Sequence, residues 1–180
     1  SAASDVYKRQ QLEGHPYRDV FSTVYSDDEE GGHFAALAMK DRGRKDIVAV
    51  LGPQDNPAVV DRLRGYRAVL GEDLPDANVI YTGWNSGDGY QAMHQILARE
   101  IAFDGVLCGS DRIAAGVITA LNEAGLSVPA DVSVVGFDDH EIAARCVPAL
   151  TTVRQPLREE GHMAANIALD MIKGAEPTRH

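Results

Sequence analysis

The side chains of this sequence that could do chemistry lie directly after its apolar segments. They occupy Pro53 to Asp55, Trp84 to Ser86, Ser110 to Asp111, Asp138 to Asp139, and Gln155. A carboxylate only accepts hydrogen bonds, and an indole offers a flat apolar face, so such groups can hold a polyol ring. The set contains neither a nucleophile paired with a base nor a cluster of metal ligands. These residues therefore predict binding and not catalysis.

Other motifs have simpler interpretations. The segment LGPQDNP matches neither a dinucleotide fingerprint nor a P-loop. Gly31 and Gly32 open a predicted helix and favour close backbone packing over a phosphate cradle. The six histidines share no ligand spacing, which predicts surface or hydrogen-bonded side chains. Cys108 ends an apolar run and predicts a small buried hydrophobe. Neither a metal nor a cofactor is expected.

An alternation of apolar segments and helical patterns must position these groups. Strands are predicted near 46–51, 78–82, 104–108, 132–136 and 150–154. Helices are predicted over 29–42, 57–70, 87–99, 111–124 and 157–173. Strands that are apolar on both faces and alternate with helices indicate a parallel sheet covered on both sides. The predicted fold class is α/β, a doubly wound parallel sheet, in which ligands bind outside the carboxyl ends of the strands.

Each candidate also has a purely structural interpretation, which the residues leave open. Ser110 or Asp111 can cap the following helix, and the pair Asp138-Asp139 can cap a short one. Trp84 can cover the core. Arg62, within a helical pattern, can be a solvated arginine.

Composition narrows the classes of protein. The chain has 180 residues, 44% hydrophobic and 24% charged, which is the size and composition of one globular domain. No run of 18 apolar residues is present to span a membrane. The net charge of −10 gives the chain no electrostatic reason to hold a polyanion by itself. Lone cysteines, Cys108 and Cys146, suit a reducing cytoplasm.

The two ends of the chain fit no structural pattern. Codons that reproduce Ser1 to Gln10 match the end of a transposase-type sequencing-library adapter. We interpret this segment as a library scar and expect it to be extended or poorly ordered. The ending GAEPTRH has neither a closing strand nor a clear cap. We therefore expect this chain to be a piece of a longer natural protein, cut at both ends.

Five segments, in this order, resemble LacI/GalR bacterial transcription regulators. They are VYSDDEEGGHFAAL, IVAVLGP, DRLRGYRAVL, FDGVLCGSDRIAAGVITALNEAGLSVPADVSVVGFDD and PALTTVRQPLREEGHMAANIAL. The likeness runs from Val24 to Lys173 and is most specific from Asp104 to Gln155. One departure is Gly43-Arg44, where the family commonly has Gly-His.

The resemblance implies a sensor built from two subdomains like a type I periplasmic binding protein. Residues 29–152 would be the second subdomain, after the scar at 1–10 and a remnant of the first subdomain at 11–28. Residues 153–180 would be a crossover and a helix that returns to the missing first subdomain. The apolar stripe of that helix, Met163, Ala164, Ile167 and Met171, would then have a surface to cover.

The resemblance also implies a function. The chain would be the effector-sensing domain of a repressor that binds a small molecule, most simply a sugar, in the cleft between the subdomains. Operator DNA would be bound by an N-terminal helix-turn-helix domain that this chain lacks. The regulator would be a cytoplasmic homodimer without cofactor, catalysis or membrane contact.

Matching the family's motifs residue by residue assigns five effector contacts. Arg62 matches an arginine that pairs with ligand oxygens, and Asp138 matches a carboxylate that accepts ligand hydroxyls or amines. Trp84 lies where sugar-responsive members place a stacking aromatic residue. Ser110 and Gln155 match further polar contacts.

The same matching places the dimer interface in two segments rich in small apolar residues, 114–119 and 142–147. Its predicted members are Ala114, Val117, Ile118, Ile142 and Cys146. An aspartate at Val117 would then be expected to give a folded monomer.

Two competing interpretations remain. A sugar-binding protein of an ABC importer has the same fold, although the segment VPADVSVVGFDD resembles regulators more. An enzyme of doubly wound type would need a nucleophile elbow or a nucleotide fingerprint, and the sequence shows neither.

Overall fold

The computed structural model describes residues 24–99 and 101–176. The expectation for Ser1 to Gln10 lies outside these described residues. The chain divides into two compact units, one of residues 28–154 and one of residues 1–27 with 155–180. The domain boundaries inferred from the family remain a prediction.

The larger unit alternates helices and strands. Its helices are α1 (Asp28–Asp41), α2 (Pro57–Leu70), α3 (Ser86–Leu97), α4 (Asp111–Glu123) and α5 (Glu141–Arg145). Its strands are β1 (Ile47–Leu51), β2 (Val79–Tyr81), β3 (Gly105–Cys108), β4 (Ser133–Asp138) and β5 (Thr151–Arg154). All neighbouring strands pair in parallel, in the order β2-β1-β3-β4-β5. The predicted doubly wound parallel sheet is confirmed.

Two apolar layers cover the sheet, because successive residues of a strand face opposite sides. In β1, Val48 and Val50 join a core with residues of α3 and α4. Ile47, Ala49 and Leu51 join a second core with residues of α1 and α2. All five residues of β1 are buried, which explains why the strand is apolar throughout.

The helices that follow β1, β2 and β3 each begin at a polar capping residue. The Asn56 side chain accepts a hydrogen bond from the Ala58 N–H at the start of α2. Asn85 and Asp88 form a capping box on α3. The Ser110 hydroxyl accepts from the Ile113 N–H, so Ser110 caps α4. Each helix therefore begins at the carboxyl edge of the sheet.

Gly31 and Gly32 serve close packing, as predicted. A Cβ atom on Gly32 would collide with the carbonyl oxygen of Arg62 in α2. A Cβ atom on Gly31 would meet the ring of Phe137 in β4. The two glycines let α1 approach α2 and the sheet, and this holds the segment that carries Arg62 in place.

The predicted dimer surface needs correction. Ala114 and Val117 are fully buried and Ile118 nearly so, all inside the core beneath α4. A side chain enclosed by its own chain cannot also form the contact surface for a second copy. Of the predicted set, Ile142 and Cys146 are half-buried, and they remain a prediction as interface residues.

The smaller unit contains helix α6 (Leu157–Ile172). None of its sixteen residues, all of them described, is buried. Leu157, Met163, Leu169 and Ile172 are exposed apolar side chains. Within the described part of the chain, no helix is both long and apolar enough to cross a membrane.

Candidate functional site

The candidate site lies at the carboxyl edge of β1, β3 and β4. Gly52 follows β1, Gly109 follows β3, and Asp138 ends β4. The Gly109 N–H donates to the Val50 carbonyl, so the ends of β1 and β3 stay together. Parallel strands bring their carboxyl ends to one edge, where α/β proteins bind ligands.

Arg62 lies at the centre of this edge and is only 3% exposed. Its Nε donates to Asp28 Oδ1 at 2.8 Å, and its Nη2 lies 3.6 Å from Asp138 Oδ1. Its Nη1 donates to the carbonyl oxygen of Gly109. The guanidinium carbon lies 3.7 Å from the centre of the Phe137 ring, within cation–π range. The solvated-arginine interpretation is therefore wrong for Arg62.

Arg64, two residues later in the same helix, is a solvated arginine. Arg64 is half-exposed and pairs with Glu29 and Asp61 on the outer face of α1 and α2. Arg62 faces the sheet because it lies two residues earlier, which turns its side chain through about 200° around the helix axis.

Asp138 has an unusual backbone conformation. Its φ is 106°, and that of Asp139 is 54°, both in the region that favours glycine. The Asp139 N–H donates to Thr152 Oγ1 at 3.3 Å, and the Asp139 carboxylate pairs with Arg154. Contacts to β5 therefore hold this turn and aim Asp138 at Arg62.

The surroundings of Asp138 disfavour its charged form. Burial is the largest effect and raises the pKa of its carboxyl group to about 6. The negative charges of Asp111 and Asp28 raise the pKa further, whereas Arg62 and His140 oppose the shift. The side chain is still 34% exposed, so the carboxyl group is the part of this cluster that faces solvent.

Asp111 supports the turn from beneath, a role that the sequence did not reveal. Its fully buried carboxylate accepts from the His140 N–H at 2.7 Å and from Thr152 Oγ1 at 2.5 Å. Burial raises the pKa of this carboxyl group, and the two hydrogen bonds oppose the shift. Asp111 thus ties the start of α4 to the turn after β4 and to β5.

The helix-cap interpretations are settled by the same contacts. Ser110, not Asp111, caps α4. The short helix α5 is capped by His140, whose Nδ1 accepts from the Ile142 N–H. Asp138 and Asp139 therefore do not cap α5. The signal that could have found Asp111 is its position directly after a serine that already satisfies the helix start.

Trp84 lies at the same edge. Its indole covers Gly52 so closely that a Cβ atom there would collide with the six-membered ring. It contacts both apolar cores and is half-buried. Gly52 adjoins Gly109, whose carbonyl oxygen accepts from Arg62. Trp84 does cover the core, and it does so beside the charged cluster.

Four predicted residues remain: Ser110, Gln54, Asp55 and Gln155. The Ser110 hydroxyl is buried and used as a helix cap. Gln54 and Asp55, after β1, are exposed. Gln155 belongs to the smaller unit, and its role as an effector contact remains a prediction.

The thiol of Cys108 is not reactive in this fold. Cys108 is fully buried, and burial raises the pKa of its thiol far above the usual range. This burial confirms the prediction of a small buried hydrophobe. A thiol in such surroundings is inert. Across residues 24–99 and 101–176, no three His, Cys, Asp or Glu side chains lie close enough to hold a metal ion.

Comparison with known proteins identifies the family. Residues 36–180 match the family of the periplasmic binding protein-like domain. Among curated proteins, the HTH-type transcriptional repressor PurR of Salmonella arizonae is 37% identical over 162 residues, covering 88% of this chain and 48% of that protein. PurR of Pectobacterium atrosepticum is 36% identical, covering 93% of this chain and 50% of that protein. The chain spans about half the length of the curated relatives it matches.

Solved structures of related proteins point to the same family. The complex of the transcriptional regulator CelR with cellobiose superimposes with a TM-score of 0.84 at 34% identity, covering 89% of this chain and 51% of that one. A LacI family regulator from Enterococcus faecalis with bound ribose gives 0.82 at 28% identity, covering 88% and 58%. This chain therefore belongs to the periplasmic binding protein-like domain family and corresponds to the effector-binding region of LacI-family transcriptional regulators.

Proposed function

We propose that this chain is the effector-sensing part of a LacI/GalR-type repressor and that its effector is a sugar bound beside Asp138. The observation that carries the proposal is the cluster of Arg62, Asp28 and Asp138 at the carboxyl edge of the sheet. The bound cellobiose and ribose of two related structures support a sugar as the ligand class.

The chemistry of the cluster suits hydroxyl groups. The exposed Asp138 carboxylate accepts hydrogen bonds from a polyol, and buried Arg62 fixes its orientation from behind. Trp84 adds a flat apolar surface nearby, which suits the face of a sugar ring. In this structure each of the three Arg62 nitrogens already has a partner within the chain, so direct pairing of Arg62 with a ligand requires one of them to give way.

Regulation follows from differential binding. An effector that binds one arrangement of the regulator more tightly shifts the population of regulators toward that arrangement. The affinity for operator DNA changes as a result. Operator DNA would be bound by a helix-turn-helix domain preceding this region, in a homodimer. The regulator would act in the cytoplasm, where its operator DNA is, and no bond needs to be made or broken.

The test uses the full-length regulator that contains this chain. We expect Asp138→Asn to lose the release or strengthening of operator binding that cellobiose, ribose or another sugar produces in the wild type. Asparagine replaces one accepting carboxylate oxygen with an amide NH₂ that cannot accept, and each ligand hydrogen bond lost in this way costs about 1–3 kcal/mol, or roughly five- to 150-fold in affinity. Fluorescence anisotropy of labelled operator DNA, with and without sugar, measures the response.

Asp76→Asn is the matched control, since that carboxylate is 95% exposed and pairs with Arg67 on the surface. Both variants should bind operator DNA as the wild type does. An Asp138→Asn regulator that responds normally to every active sugar would refute the site. A full-length protein that binds sugar but no DNA would favour the importer alternative.

Effector binding should also depend on pH. The folded-state pKa of Asp138 is about 6, above the ordinary value of 3.8. The ionised carboxylate is the better acceptor, so we expect effector affinity to rise about tenfold between pH 5 and pH 7. The contribution of Asp138 to the free energy of unfolding has the opposite trend, because a raised pKa stabilises the fold below pH 4 and that effect is lost as pH rises to 6.

Carbon-13 NMR of the Asp138 carboxyl group measures this pKa directly. Urea unfolding of the wild type and Asp138→Asn across pH 4 to 7 isolates the contribution of Asp138 to stability. A titration midpoint near 3.8 would contradict the prediction.

A further inference from the structure

The hydroxyl group of Thr152 connects the buried carboxylate of Asp111 to the effector turn, which is the segment 138–140. Thr152 Oγ1 accepts a hydrogen bond from the Asp139 N–H at 3.3 Å and donates one to Asp111 Oδ1 at 2.5 Å. Asp111 Oδ2 accepts from the His140 N–H at 2.7 Å. One hydroxyl and one carboxylate therefore hold two backbone N–H groups of the effector turn.

The sheet leaves room for the Asp111 carboxylate at this point. Gly136 of β4 lies opposite Thr152 of β5 in the parallel register. A Cβ atom on Gly136 would collide with Asp111 Oδ1. The missing side chain thus opens the space through which Asp111 reaches the Thr152 hydroxyl. A fully buried carboxylate needs hydrogen bonds to offset its desolvation, and Thr152 supplies one of them.

The effector turn sets the direction of the Asp138 side chain. Successive residues of a strand face opposite sides of the sheet. Gly136 faces Asp111. Phe137 faces the other way, toward Arg62. Continued alternation would direct Asp138 to the side of Asp111, away from Arg62. Its φ of 106°, far from the roughly −120° of a parallel strand, breaks the alternation, and Asp138 Oδ1 lies 3.6 Å from Arg62 Nη2.

This backbone conformation needs support from outside the turn. Asp138 and Asp139 both have a positive φ, which a residue with a Cβ atom keeps only where neighbouring groups hold it. Thr152 is suited to hold the turn because it belongs to β5, which pairs with β4 along the sheet. Its hydroxyl accepts from the Asp139 N–H, at the second of the two positions with positive φ.

We infer that Thr152 is a positioning residue for effector binding: together with Asp111, its hydroxyl holds the effector turn in the conformation that presents the Asp138 carboxylate to the ligand. This inference rests on the proposed effector site at Asp138.

Thr152→Val tests the inference, because it removes the hydroxyl and keeps the size and branched shape of the side chain. The three-bond HN–Hα coupling constant of Asp138, measured by NMR in this 180-residue chain, depends on φ. We expect a small value in the wild type. In Thr152→Val we expect a shift toward the large value of an extended strand, because the Asp139 N–H loses an acceptor. A loss of stability alone would leave this coupling constant unchanged in the folded chain.

The effect on binding is measured in the full-length regulator, with cellobiose and ribose as probes and fluorescence anisotropy of labelled operator DNA as the readout. We expect Thr152→Val to weaken the affinity for the sugar that acts on the wild type at least about fivefold, the effect of one hydrogen bond lost through a misdirected acceptor. Thr152→Ser restores the hydroxyl and should recover both the coupling constant and the sugar affinity.

Thr151→Val is the matched control. It makes the same chemical change at the preceding residue of β5, where the side chain is exposed, and it should alter neither measurement. If Thr152→Val does not fold, Thr152→Ser and Thr152→Ala provide the same comparison with and without the hydroxyl.

Three results would overturn the inference: a large, strand-like coupling constant of Asp138 in the wild type, no change in either measurement on loss of the Thr152 hydroxyl, or equal impairment in Thr152→Ser or Thr151→Val. If no sugar acts on the full-length wild type but Thr152→Val shifts the coupling constant, the sugar assignment fails and the support of the turn by Thr152 stands. If Asp138→Asn abolishes the sugar response and Thr152→Val leaves it intact, the effector site stands and the inference fails.

Discussion

Arg62→Ala should lower the free energy of unfolding of this chain by about 3–5 kcal/mol, the usual effect of removing one partner from a buried ion pair. The side chain is almost fully buried and contacts Asp28, Asp138 and the Gly109 carbonyl. Its loss removes the donor that these partly desolvated acceptors share, and it removes the guanidinium from the Phe137 ring. Urea unfolding followed by circular dichroism measures the change.

Arg64→Ala is the comparison for this prediction. Arg64 lies in the same helix and also has two carboxylate partners, but its side chain is 52% exposed. Surface pairs contribute little because solvent screens them, so the unfolding midpoint should hardly move. Equal destabilisation by the two substitutions would show that Arg62 does not have the buried role described above.

Val117→Asp should prevent folding or destabilise the chain by more than about 4 kcal/mol, the range that marks a charge placed in a core. Val117 is fully buried among apolar residues of α4, β3 and β4. An aspartate there has no partner and no access to water. Circular dichroism and the yield of folded protein on a sizing column measure the effect.

This outcome differs from the one that the family resemblance favours, a folded monomer. Thr119→Asp separates the two interpretations, since Thr119 lies on the same helix but is exposed. Thr119→Asp should leave the fold nearly unchanged, so any change in its oligomeric state reports on a true surface of α4. A folded, monomeric Val117→Asp protein would refute the placement of Val117 in the core.

The candidate site was only partly predictable from the sequence. Arg62 and Asp138 were identified from the motifs that carry the family resemblance, and the structure brings them to one edge. Asp28 was not identified, and Asp111 was identified only as a polar residue after a strand that could cap a helix. Each is distant in sequence from the groups it contacts: 34 residues separate Asp28 from Arg62, and 41 separate Asp111 from Thr152. Nothing in the local pattern of Asp28 differs from that of an ordinary acidic residue at a helix start.

The prediction that Ala114, Val117 and Ile118 form the dimer surface was wrong for a related reason. Small apolar residues at positions 114–119 suit a surface where two copies approach and equally suit a helix packed on a sheet. Periodicity shows that a face is apolar, but it does not show what covers that face. Only the position of α4 against β3 and β4 assigned Ala114, Val117 and Ile118 to the core.

By itself the sequence determined the alternation of strands and helices, the parallel sheet and the edge at which we propose that a ligand binds. These follow from local properties: the apolar period of each segment, the caps at the helix starts, and the burial of strands that are apolar on both faces. The tertiary structure alone decided which carboxylates surround Arg62, which serine or aspartate caps a helix, and which apolar residues face inward. These depend on contacts between residues far apart in the chain. Such contacts leave no mark on the periodic pattern of the sequence.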